Sequence, residues 1–129
     1  MAFQPIVDVT QRQVVYYEAL VRGINGESAF SILSQVTDEL MYRFDQACRV
    51  KAIELASELG MTERLSINFL PNAVYEPEAC IQSTLETSRR VGWPTERLNF
   101  EITETERVVD RAHMRSIIDS YRRMGFTTS

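Results

Sequence analysis

Two short segments restrict the fold of this chain more than anything else in it. In "RLSINFL", residues 64–70, Leu65, Ile67 and Phe69 share one face of an extended strand and Ser66 and Asn68 the other. In "RLNFEIT", residues 97–103, Leu98, Phe100 and Ile102 face one way and Asn99, Glu101 and Thr103 the opposite way. Helical patterns flank both segments, which is the arrangement of a parallel sheet. Parallel strands covered by helices on both faces are apolar on both. A sheet with one apolar and one polar face suits a barrel, in which the apolar side packs on outer helices and the polar side lines the mouth of the lumen.

The remaining segments fit that plan. Phe3–Val9 and Gln13–Val21 read as strands separated by "TQR", too close for a parallel crossover and so an antiparallel pair. "GINGES" reads as a loop, and 29–36 as a short helix. From Leu40 to Leu59, Met41, Phe44, Cys48, Ala52, Leu55 and Leu59 fall three or four apart, which predicts an amphipathic helix stopped by Gly60. Glu78–Val91 is a second helix, ending at Gly92. Asp110 caps a third, with Met114, Ile117, Ile118 and Tyr121 on one face and Gly125 at its end; "FTTS" starts a further strand. The fold class is therefore α/β with mostly parallel strands.

Length and composition narrow the function. The 129 residues suit one domain, with 44% hydrophobic and 25% charged residues as in ordinary globular chains. No apolar run approaches ~18 residues, and "MAFQPIVDV" lacks the basic start and long apolar core of a signal peptide. A cytoplasmic chain with no membrane partner is expected. A net charge of -4 argues against a nucleic-acid polymer as partner. Cys48 and Cys80 match no metal or redox spacing and read as buried, reduced thiols. Lys51, the only lysine, reads as solvated, His113 as a surface or capping residue and Trp93 as a packing anchor. Arg89, Arg90, Arg122 and Arg123 end helices, where cations complement the dipole.

Glu101 projects toward the lumen near the C-terminal end of its strand, where barrel enzymes place their chemistry. Glu104 and Glu106 follow where the strand leaves for a loop. Placed at corresponding strand ends, Glu18, Asn68 and Glu101 supply two carboxylates and an amide oxygen, hard donors suited to Mg²⁺ or Mn²⁺. Arg22, four residues beyond Glu18, is a candidate phosphate grip. On spacing alone, a lone Glu, Asn or Arg at a strand end is more often structural or solvated than metal-binding.

The blocks "FQPIVD", "YEALVRG", "LSINFLP" and "FEITE" occur in the order and spacing of the EAL-domain family, and the chain resembles that family from Phe3 onward. "FDQACRVKAIELA" and "SINFLPNAVYEP" are similar to EAL domains fused to blue-light-sensing flavin domains. The resemblance implies a (β/α)8 TIM-like barrel with one antiparallel strand. It also implies metal-dependent hydrolysis of cyclic di-GMP to pGpG. By the same resemblance Glu18, Asn68 and Glu101 match metal ligands, and Gln4 and Arg22 match dinucleotide contacts. Glu104 matches the second acid of the "ExTE" block and completes a catalytic set with Glu18 and Glu101 in a supporting role.

The match also has departures. Leu70 stands where many members of the family carry serine. A full barrel needs ~250 residues, so residues 1–129 are expected to be the N-terminal half of one EAL domain. The family's aspartate pair and its later lysine, glutamate and glutamine are not among them. Half a barrel leaves open edges, which suggests pairing of two copies. The alternative reading is a non-catalytic EAL module that binds cyclic di-GMP or a protein partner.

Overall fold

The computed structural model describes residues 1–129 apart from Ile24, Ala29, Phe30, Leu33, Val36, 71–73, Tyr75 and 103–110. Five strands form one sheet in sequential order: β1 (Ala2–Asp8), β2 (Gln13–Leu20), β3 (Arg64–Phe69), β4 (Leu98–Ile102) and β5 (Thr127–Thr128). β1 and β2 are antiparallel and every later pairing is parallel. The helices are α1 (Asp38–Glu58), α2 (Pro77–Cys80), α3 (Gln82–Val91) and α4 (Arg111–Arg123). This is the first part of a TIM-type barrel with its opening strand reversed, as expected. Among the described residues, no helix is long and apolar enough to cross a membrane.

The strand faces separate as their alternation requires. Leu65, Ile67, Phe69, Leu98 and Phe100 are buried against the helices. Phe69, Phe100, Tyr121 and Phe126 form an aromatic cluster with ring centroids 4.9–6.1 Å apart. Each such pair adds about 0.5–1.5 kcal/mol to simple burial. Gly92 ends α3 in the left-handed region at φ 74°, open to glycine at no steric cost. Gly125 follows α4 at φ 95°, and a Cβ there would sit 3.0 Å from Thr95 Oγ1.

Helix α1 departs from the expected amphipathic pattern. Leu59 is 69% exposed, and Phe44, Cys48 and Leu55 are only half-buried. The buried face carries Ala52 as expected, but with Asp45, Arg49, Ile53 and Ala56 beside it. The helix is rotated because two charged residues one turn apart neutralise each other inside the core. Arg49 donates to Asp45 Oδ2 from Nε (3.1 Å), and its Nη2 lies 3.0 Å from the same oxygen. Nη1 donates to the Tyr121 hydroxyl (2.7 Å). The guanidinium also lies over the rings of Phe100 (4.9 Å) and Tyr121 (5.4 Å). Burial pushes the Asp45 carboxyl above its ordinary range, against the pull of Arg49 and the Leu70 N–H. Burial also works against the Arg49 charge, but Asp45 and Tyr121 outweigh it and raise its pKa. Arginine does not give up its proton in proteins, so we take the pair to be ionic at neutral pH.

Other expectations divide in the same way. The helix expected over Glu78–Val91 is two segments that meet at Ile81, which is fully buried. Backbone bonds from Ile81 N to Pro77 O (3.2 Å) and from Leu85 N to Ile81 O (3.0 Å) carry across the junction. Cys80 is buried, whereas Cys48 is half-buried. His113 is not a surface or capping residue: it is half-buried, with ring Nε2 hydrogen-bonded to the Val74 carbonyl. Trp93 is the anchor expected, donating from Nε1 to Arg97 O (3.3 Å) under the Arg97 guanidinium, 4.0 Å from the ring centroid. Half of the short helix expected at 29–36 (Ala29, Phe30, Leu33 and Val36) and the Asp110 cap lie outside the described residues.

Candidate functional site

The site is built on the C-terminal ends of β2, β3 and β4. Parallel pairing sets Glu18 beside Ser66 and Asn68 beside Glu101. Because the intervening residues Ala19, Ile67 and Phe100 point to the buried core, these polar side chains share the opposite face. Asn68 Nδ2 donates to Glu18 Oε1 across 3.0 Å, which ties two of the three expected donors directly together. Glu101 lies next to Asn68 in the register, and all three side chains are half-buried.

The reversed first strand adds Gln4, paired directly opposite Glu18 and exposed. A cleft of about 300 Å³ lies along this face, lined by Ile6 and Tyr16 on one side and by Asn99, Glu101 and Thr127 on the other. Residues from β1 and β2 thus face residues from β4 and β5 across it, so the sheet curls around a lumen. Arg22 lies elsewhere: it borders a groove with Phe44, Cys48 and Lys51 of α1 and donates from Nη1 to Val21 O (2.7 Å). Glu104 and Glu106 lie outside the described residues.

Beneath the carboxylates runs a polar layer whose connections the sequence alone did not reveal. Asn99 Nδ2 donates to Ser66 Oγ (2.9 Å) and Ser129 Oγ (2.7 Å), and Thr127 Oγ1 donates to Asn99 Oδ1 (2.7 Å). Ser66 and Asn99 are buried, so this network satisfies polar groups that would be costly alone. The alternation placed Ser66 and Asn99 on the lumen face, but side-chain reach across β3, β4 and β5 needs the register.

The donor set is chemically suited to a hard divalent cation. Among the described residues no three His, Cys, Asp or Glu side chains cluster closely enough to hold a metal. Glu18 and Glu101 supply two carboxylates, and the Asn68 amide, its NH₂ turned to Glu18, leaves its own oxygen available. Mg²⁺ is commonly held by one or two carboxylates, with water and substrate phosphate completing the shell. The residues present fit such an ion.

A family model for the EAL domain matches residues 1–129. The chain belongs to the EAL-domain family. One similar EAL protein is the blue light- and temperature-regulated antirepressor BluF of Escherichia coli (strain K12), 30% identical over 107 residues, or 81% of this chain and 26% of that protein. The cyclic di-GMP-bound structure of a standalone versatile EAL protein from Vibrio cholerae O395 superposes with a TM-score of 0.92 at 55% identity, covering 99% of this chain and 54% of that one. Klebsiella pneumoniae BlrP1, solved at pH 9.0 with manganese and cyclic di-GMP, gives a TM-score of 0.85 at 27% identity over 98% of this chain and 32% of that one. The similarity to BluF and BlrP1 supports the likeness to the blue-light-associated EAL domains. The chain spans about a quarter of the curated relative it matches and about half of the Vibrio cholerae protein.

Proposed function

We propose that residues 1–129 form the N-terminal part of an EAL domain that hydrolyses cyclic di-GMP to pGpG with a divalent metal, Mg²⁺ or Mn²⁺. The observation that carries this reading is the joining of Glu18 and Asn68 by a 3.0 Å hydrogen bond, with Glu101 beside Asn68 in the register. Three oxygen donors thereby share one end of adjacent parallel strands, and one of them, Glu101, lines the cleft. The Vibrio cholerae relative bound to cyclic di-GMP and BlrP1 bound to manganese and the same dinucleotide support the ligand and the class of metal. A calcium complex of BlrP1 points likewise to hard cations.

In this reading Glu18, Asn68 and Glu101 hold the metal, which when bound supplies a nucleophilic water at neutral pH and offsets charge on the phosphate oxygens. Asn68 holds the Glu18 carboxylate in place by the hydrogen bond from its Nδ2. Gln4, exposed opposite Glu18, contacts the dinucleotide from the first strand. Arg22 contacts it from the loop after β2 once its side chain leaves the Val21 carbonyl. Glu104 supports the carboxylates from the segment after β4. The curled sheet walls the phosphodiester on the β1–β2 side, which limits how it can lie against the acids.

The test is chromatographic detection of pGpG after incubating cyclic di-GMP and Mn²⁺ or Mg²⁺ with the complete domain, alongside a Glu18→Ala control. Product that disappears in the control is the expected result. Undiminished turnover in the control overturns the assignment of Glu18, and tight binding without turnover in the unmutated domain favours a non-catalytic module.

A further inference from the structure

β3 ends at Phe69, where its register with β4 also ends; its register with β2 stops earlier, at Ile67. The next backbone N–H, that of Leu70, is 9% exposed at residue level and lies beyond the ladder. It donates instead to Asp45 Oδ1 (3.1 Å), a side chain of α1 twenty-five residues earlier. The other oxygen of Asp45 is gripped by Nε and Nη2 of Arg49, and Arg49 is fixed in turn by the Tyr121 hydroxyl of α4. One carboxylate therefore locks the end of β3 to two outer helices. Asn68 is two residues from Leu70 and points into the site, where it meets Glu18.

Stability does not explain this arrangement well. A buried ion pair is often matched or bettered by apolar residues of the same volume, and the surrounding core is otherwise apolar and aromatic. A carboxylate, unlike a methyl group, gives a strand end one fixed direction. We propose that Asp45 is a positioning residue: through the Leu70 N–H it sets where the end of β3 lies and so holds Asn68 in reach of Glu18 and of a metal. The inference rests on the metal-site reading above and names a residue outside that site on which it depends.

Asp45→Ala alone is a poor test, since it strands a buried arginine. Two variants in an Arg49→Met/Tyr121→Phe background separate the roles. Asp45→Asn retains an acceptor for the Leu70 N–H, whereas Asp45→Leu removes it, and neither carries the ion pair. A backbone ester in place of the Leu70 amide deletes the donor and leaves Asp45 and Arg49 untouched, should the core variants fail to fold. Mn²⁺ binding is followed by electron paramagnetic resonance on the complete domain, thermal unfolding is recorded for each variant, and Glu18→Ala is run in parallel.

The expected result is parent-like affinity for the Asn variant and a loss of about 10-fold for the Leu variant and the ester, the usual scale for a residue that orients a ligand. Equal Mn²⁺ affinity in the Asn variant, the Leu variant and the ester overturns the positioning role while leaving the site intact. Failure of the parent to bind, or unchanged binding in Glu18→Ala, overturns the metal-site reading itself and the inference with it.

Discussion

Asn68 Nδ2 and Glu18 Oε1 lie 3.0 Å apart, joining β3 to β2 beside Glu101 in the register. The amide is neutral and donates through Nδ2, which leaves its oxygen for a cation held jointly with the carboxylate. Asn68→Asp exchanges that donor for a second anion. Without metal, the repulsion raises the pKa of the new acid above its unfolded value of about 4. Its stabilising contribution is then present below about pH 4 and is lost as pH rises through the higher folded value. Urea titrations in chelator should show the variant falling further behind the parent between pH 4 and 7, and Mn²⁺ should recover the difference.

Asn99 joins three strands through Ser66, Thr127 and Ser129. Asn99→Ala leaves the buried Ser66 hydroxyl without that partner, at a cost of about 1–3 kcal/mol. The loosening should be local to β5. Amide exchange at Ser129, whose N–H donates to Phe100 O (3.0 Å), should speed up while Leu65 and Ile67 stay protected.

Tyr121→Phe removes a hydroxyl 2.7 Å from Arg49 Nη1 and keeps the ring in the aromatic cluster. A hydrogen bond to a charged group is worth about 1.5–3 kcal/mol, so calorimetry should show a Tm lower by several degrees. Metal affinity should change little, since Asp45 still holds the Leu70 N–H.

Burial, with a smaller push from Asp45, raises the Cys48 thiol to about 11 from an ordinary value of 9.0. A proton held more tightly in the folded state favours folding fully below pH 9, and that contribution is lost as pH rises toward 11. The thiolate is the reactive form. Iodoacetamide labelling read by mass spectrometry at pH 8 should therefore run about 100-fold slower at Cys48 than at a free cysteine. The rate should climb steadily as pH approaches 11.

The architecture was legible because strand alternation is an unambiguous signal once one face is polar. Leu65, Ile67 and Phe69 against Ser66 and Asn68 told both the fold class and the side on which chemistry sits, and the structure keeps that division. The ordered blocks around Glu18, Asn68 and Glu101 carried the family. Helix α1 was misread for a definite reason: a pattern of apolar residues treats every charge as a surface marker. Asp45 and Arg49, spaced one turn apart, carry the buried face instead. A charged pair at that spacing, with arginine as one member, was the available hint. The polar layer of Asn99 and the seat of Arg22 depend on register and on loop path, which no single segment encodes.

Reversal of β1 has a mechanical consequence. Its pairing sets Ala2 against Leu20 and Gln4 against Glu18, so the N-terminal end of the chain arrives at the rim that bears the acids, not at the far end of the sheet. Any polypeptide joined ahead of Ala2 would pull on the mouth of the barrel through a tether two residues long. A tug or twist there reaches Gln4 before any helix has to move, which makes this end of the sheet a short, stiff handle on the site.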